Sequence, residues 1–151
     1  MTTETRLTVR KALPTDAAAI AALAERDDPA AAETGETLRS RVAALVGDPS
    51  AITLVATEQE VVRGYLVGGT ARSTVRPGEG QVARIEEFAV DDPHDWWPVG
   101  SALIEEARSR LRAAGAVRLI VTTSARDPAK QAFLWRCGLT LVTEAYQEEL
   151  R

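Results

Sequence analysis

The residues able to do chemistry gather between Gln81 and Gly115, QVARIEEFAVDDPHDWWPVGSALIEEARSRLRAAG. Two adjacent carboxylates, Glu86 and Glu87, sit in an apolar run that reads as a strand over Val82–Val90. Successive side chains on a strand point to opposite faces, so alternation lets only one of the pair serve a given face and leaves open which. A helix follows, predicted to begin near Pro98 or Val99 and to end at Gly115. At such a start the N–H groups of Val99, Gly100, Ser101 and Ala102 lack intrahelical partners, which makes an anion site that phosphate commonly fills. Gly100, having no side chain, would let a phosphate come close. The lone histidine, His94, reads as a loop residue, and the lone cysteine, Cys137, as a small buried hydrophobe.

The elements that must position these groups follow from periodicity. In the long helix Val99, Leu103, Ala107, Leu111 and Ala114 form one apolar stripe. Glu105 and Glu106 precede Arg108, Arg110 and Arg112, as the helix dipole favours. Upstream, Leu7 to Ala12 alternates as a first strand, and Pro14-Thr15-Asp16 opens a helix over Ala17–Ala24 with Ile20 and Leu23 inward. Asp27-Asp28-Pro29 breaks it, and Glu36–Val46 is a second helix with Leu38, Val42, Leu45 and Val46 inward. Ala51–Ala56 and Val61–Val67, the latter extendable to Thr70, form a hairpin about Glu58-Gln59-Glu60, and Ala71–Gly80 is a loop. After the central stretch come a strand over Val117–Thr123 and a short helix over Asp127–Cys137 with Ala129, Ala132, Phe133 and Leu134 as its apolar positions. Gly138 ends that helix, and a last strand runs over Leu139–Thr143, extendable to Leu150. The order β-α-α-β-β-β-α-β-α-β predicts an α/β domain, a mixed sheet flanked by helices.

Composition narrows the function. The chain has 151 residues, 45% hydrophobic and 26% charged, with net charge -4, which suits one soluble domain spanning 1–151. No stripe of Lys or Arg offers a nucleic-acid surface. No apolar run is long enough to cross a bilayer, and MTTETRL lacks a signal-type apolar core. A single cysteine fits a reducing, cytoplasmic setting. The absence of G-x-G-x-x-G argues against a dinucleotide-binding fold.

With that element order, the chain resembles the GNAT superfamily, the Gcn5-related N-acetyltransferases, over nearly its whole length. The resemblance rests on Val9-Arg10-Lys11-Ala12 with Pro14-Thr15-Asp16 and Ile20, on Ile85–Pro93 as the fourth strand, on Val99-Gly100-Ser101-Ala102-Leu103 as the second half of the coenzyme A loop, and on Asp127-Pro128, Ala132 and Gly138-Leu139. It implies acetyl-coenzyme A as cosubstrate, lying where the fourth and fifth strands splay apart, and no metal. The diphosphate would rest on the amides of Val99, Gly100, Ser101 and Ala102. A bulge in the fourth strand would free amides near Phe88, Ala89 and Val90 for the acyl carbonyl and pantetheine arm. Asp127, opening the last helix, joins that set. The acceptor would be a primary amine of a small molecule or peptide, its proton taken by Glu87 or Glu86, with family position favouring Glu87. Many relatives dimerise, so a homodimer is expected.

The chain also departs from the family. The six loop slots, from an Arg or Gln to a final Gly or Ala, hold Asp95, Trp96, Trp97, Pro98, Val99 and Gly100, and only the last matches. Asp95 puts a carboxylate where a cation is common, and Pro98 lacks an N–H. Arg126 or Lys130 could offset the lost charge. Trp96 and Trp97 read as packing residues first and as covers for the ligand second. Leu134 stands where the family commonly has a tyrosine that protonates the thiolate, leaving Tyr146 as the only later tyrosine. A GNAT-fold binding protein, with its coenzyme site lost or repurposed, is the alternative that these substitutions motivate.

Overall fold

Strands form where β-branched and apolar residues cluster, bounded by turn residues. In the computed structural model, which describes residues 6–27, 35–73, 78–123 and 127–150, the strands are β1 (Leu7–Lys11), β2 (Ala51–Glu58), β3 (Val61–Arg72), β4 (Gln81–Val90) and β5 (Ala116–Val121). They lie side by side in that order. The first four are antiparallel, and β5 is parallel to β4. Gln59 (φ 51) and Glu60 (φ 65) make the tight turn of the β2–β3 hairpin.

The parallel step needs a crossover, supplied by α3 (Ser101–Ala113). The other helices are α1 (Ala17–Asp27), α2 (Gly35–Val46) and α4 (Pro128–Arg136). One face of the sheet, through Val55, Tyr65, Val67 and Ala89, packs on α1 and α2 at Ile20, Leu23, Leu38 and Val42. The opposite face, through Leu54, Leu66, Ile85, Phe88 and Val90, packs on α3 and α4 at Leu103, Ile104, Leu111, Phe133 and Leu134. The result is helix on sheet on helix, with a core on each side.

Four expectations need correction. Helical backbone begins earlier than Pro98. Pro93–Asp95 is a 3₁₀ turn and Trp96–Gly100 a π-helical turn, both leading into α3. The last strand is not formed: residues 139–150 make no strand and are mostly exposed. In α4 the buried residues are Lys130, Phe133 and Leu134, whereas Ala129 and Ala132 face out. Ala114 is likewise exposed, and Ile104 takes its place in the core. Parts of the Asp27-Asp28-Pro29 break and of the Ala71–Gly80 loop, and Arg126, lie outside the described residues.

Candidate functional site

Ile85 and Phe88 both face α3, although they are an odd number of residues apart. A regular strand cannot do this. The pairing shows why: Val67 sits opposite Glu87 and Gly68 opposite Ile85, so Glu86 is an extra residue, a β-bulge. Gly68 is required there, because a Cβ on it would lie 2.1 Å from Arg84 O. The bulge overturns the expectation that only one carboxylate can serve a face. Both reach Arg41 of α2: Glu87 Oε1 lies 3.1 Å from Nη2, and Glu86 Oε2 lies 3.7 Å from Nη1. The buried Tyr65 also donates its hydroxyl to Glu87 Oε2 (3.3 Å). Glu87 is therefore held from two sides, while Glu86 is looser and its side chain 63% exposed.

The bulge lies where β4 and β5 part. Their pairing ends at Ile85 and Val121, followed by Thr122 N–H to Ile85 O (2.9 Å). Beyond it, Asp91 N–H donates to Arg63 O (2.7 Å). By alternation Asp91, Ala89 and Glu87 turn their backbone groups towards β3, and Phe88 and Val90 turn theirs away. Those of Phe88 and Val90 thus face the gap left by β5, while those of Ala89 do not.

The far end of the gap is built differently. Asp92 caps the advanced helix start, its carboxylate accepting from His94 N–H (2.9 Å) and its carbonyl from Asp95 N–H (2.8 Å). Ser101 N–H is already bonded to Trp97 O. Val99 and Gly100 are buried, and Ala102 is half-buried. Trp96 turns inward, stacked on Phe133 (5.2 Å) and edge-on to Phe88 (5.1 Å). A Cβ on Gly100 would meet Trp96 Cε3 at 2.9 Å and Phe133 Cζ at 3.0 Å, so the space beside this glycine is taken by rings. Lys130, buried, holds its ammonium over Phe88 and Trp96 (5.8 and 5.9 Å). Trp97 is 58% exposed and touches Phe133 edge-on.

The remaining candidates are scattered. Asp127 caps α4, accepting from Lys130 N–H (3.1 Å). Tyr146 is 89% exposed and donates to Glu144 Oε2 (2.8 Å), so it is not brought to the carboxylates. Leu134 is core. His94 is exposed. Burial pushes the Cys137 thiol up, away from reactivity. On the α2 side a shallow groove of about 270 Å³ opens beside the bulge, edged by Asp48, Ser50, Thr70, Arg84 and Glu86. The hydrogen bonds from Ser50, backbone and side chain, hold the Asp48 carboxyl below its ordinary value. Arg41 and Tyr65 were missed by sequence reasoning, and Lys130, named only as a cation that could offset Asp95, is buried over two aromatic rings. Arg41 shares the inward stripe with Leu38 and Leu45, and Lys130 that with Phe133 and Leu134; a cation on an apolar stripe was the available signal.

No protein-family model matches the sequence, and no curated protein matches it significantly. Solved structures do. An aminoglycoside N-acetyltransferase in complex with coenzyme A superposes with TM-score 0.82 at 12% identity, covering 100% of this chain and 99% of its own. The chain has the GNAT fold. A transcriptional regulator from Bacillus halodurans superposes on this GNAT fold with TM-score 0.79 at 18% identity, over 96% of this chain and 100% of its own. A glucosamine-6-phosphate N-acetyltransferase from Arabidopsis thaliana gives 0.74 at 15% identity, over 97% and 99%. On this fold β4 runs on to Val90, past the bulge at Glu86, after its pairing with β5 has ended at Ile85 and Val121.

Proposed function

We propose that the protein is an acyl-coenzyme A-dependent N-acyltransferase, with acetyl-coenzyme A as cosubstrate and a primary amine of a small molecule or peptide as acceptor. The observation that carries this is the parting of β4 and β5 at Ile85 and Val121, which leaves the backbone of Phe88 and Val90 facing a gap. The acyl and pantetheine end of the cosubstrate fits there. The N–H groups of Phe88 and Val90 would bond the acyl carbonyl and the pantetheine amide, and a donor fixed towards the acyl oxygen stabilises the charge that develops on it. The coenzyme supplies an activated acyl group. The groove beside the bulge is near the lower size limit of ligand sites and suits a small amine. Glu86, loosely held and exposed at its edge, is placed to orient an ammonium and take its proton. Glu87, tied to Arg41 and Tyr65, positions the bulge.

The diphosphate end fits less well, because Asp92 occupies the helix start and Trp96 and Phe133 fill the space beside Gly100. That observation favours a second reading, a GNAT-fold binding protein whose coenzyme site is closed. Titration calorimetry with acetyl-coenzyme A, together with coenzyme A thiol release over a panel of amines, decides between them. Heat of binding with amine-dependent thiol release supports the enzyme. No heat at millimolar ligand and no release would leave the binding protein.

A further inference from the structure

The groove beside the bulge carries charges of both signs. Gly68 and Gly69 of β3 line it with bare backbone. A Cβ on Gly69 would lie 3.1 Å from Ser50 O, so the groove cannot be filled there without displacing the chain at Ser50. Asp48 and Ser50 stand at one side, Arg84 and Glu86 of β4 at the other. The register runs from Ala51 through Gly69 to Arg84, two strand spacings or roughly 10 Å. Arg84 alternates with Ile85, which faces α3, so Arg84 and Glu86 share the α2 side.

These charges differ in how far they are already engaged. The Asp48 carboxylate accepts from Ser50 N–H (2.9 Å) and from the Ser50 hydroxyl (2.8 Å). Glu86 reaches Arg41 only at 3.7 Å. On β5, Arg118 is bound to Glu79 (2.6 Å). Arg84 makes no ion pair and no side-chain hydrogen bond among the described residues, and it is exposed at the edge of the groove. A guanidinium with its planar fork open is a bidentate site for a carboxylate or a phosphate. The groove, at about 270 Å³, admits a molecule smaller than a drug-sized ligand.

We propose that the acceptor amine carries an anionic group of its own, a carboxylate or a phosphate, which Arg84 holds while Glu86 receives the ammonium. This rests on the acyltransfer reading. Arg84 and Glu86 are two residues apart on one face, roughly 7 Å between Cα atoms, so one small zwitterion meets both. Ala51 lies level with Arg84, so a diamine stretched from Glu86 to Asp48 would pass a like charge. In the transfer the acceptor nitrogen bonds the acyl carbon as the thioester C–S bond breaks. Of the two protons the ammonium loses, one leaves through Glu86 to solvent and one ends on the coenzyme thiolate. The product is a neutral amide with its anion still on Arg84, so its hold on Glu86 is gone.

Coenzyme A thiol release is measured with L-serine and phosphoethanolamine, and with ethanolamine, the skeleton both share without the anion. Putrescine supplies a second cation instead. KM is expected to be about tenfold or more lower for at least one anionic amine than for ethanolamine, and the better of the two tells carboxylate from phosphate. Arg84→Gln raises KM for the anionic amine towards that for ethanolamine, and Arg84→Lys restores part of the difference. Circular dichroism confirms that both variants fold. Calorimetry with the same amines, without the coenzyme, reads the groove alone. Release that is as good with ethanolamine or putrescine, or a KM that Arg84→Gln does not move, overturns this inference and leaves the acyltransferase. If no amine gives release, heat from an anionic amine that Arg84→Gln abolishes supports Arg84 as the anion site, and only acyl transfer falls. Neither release nor heat overturns both.

Discussion

Replacing Trp96 by Ala tests whether the helix start beside Gly100 is held by a stacked aromatic core. Trp96 is 6% exposed, stacked on Phe133 and edge-on to Phe88. A buried tryptophan removes about 150–250 Å² from water. At about 25 cal/mol per Å² that is about 4–6 kcal/mol, and a compact unfolded state lowers it to about 3–5, the usual range for such truncations. For a domain of this length each kcal/mol moves the melting temperature by about 2–4 °C, so a fall of about 10–15 °C is expected. Trp97, next along the chain, is mostly exposed and touches one ring edge-on at 6.1 Å, so Trp97→Ala should cost under about 1 kcal/mol. Urea unfolding of both variants measures the contrast. If the two costs agree within about 1 kcal/mol, the aromatic core is not what holds the helix start, and the account of Gly100 fails with it.

Three further outcomes follow from the geometry. Gly68→Ala forces a Cβ onto Arg84 O and should cost about 3 kcal/mol or more by urea unfolding; a cost below about 1 would mean that the bulge does not need the glycine. Asp16, bonded by Arg10 and by Leu13 N–H, has its carboxyl lowered from 3.8, chiefly by the Arg10 hydrogen bonds. Because the folded value is the lower one, this stabilisation is present above 3.8 and is lost as pH falls below it. Asp16→Asn should cost about 1–2 kcal/mol at neutral pH and flatten the acid limb of a stability–pH curve, and an unchanged limb would remove the pair from the account. On the acyltransfer reading, Glu86→Gln lowers kcat about 10²-fold, whereas Glu87→Gln mainly lowers stability; equal kcat losses would return the base assignment to the open state in which alternation left it.

Most of the architecture was legible because apolar periodicity reports burial directly. Leu103, Ala107 and Leu111 on α3, and Ile20 and Leu23 on α1, are where their spacing placed them. The site was less legible. Strict alternation separates Glu86 from Glu87, and a bulge is a relation between strands that one strand's pattern hides. Ile85 and Phe88, both large and apolar at an odd spacing, were its trace in the sequence. The helix start was displaced because Asp92-Pro93 supplies a capping carboxylate before a proline, which Trp97-Pro98 lacks. Residues 139–150 have strand propensity, but propensity alone does not make a strand.

The three tryptophans sit in sharply different surroundings: Trp96 is 6%, Trp97 58% and Trp135 76% exposed. The polypeptide thus carries its own optical probes. Trp96, enclosed by rings and an ammonium, should emit at short wavelength, and the two outward indoles at long wavelength. Quenching by iodide would separate the populations without any label. A molecule entering between the fourth and fifth strands should disturb the blue component first, and a neighbour laid along the last helix should shield the red one.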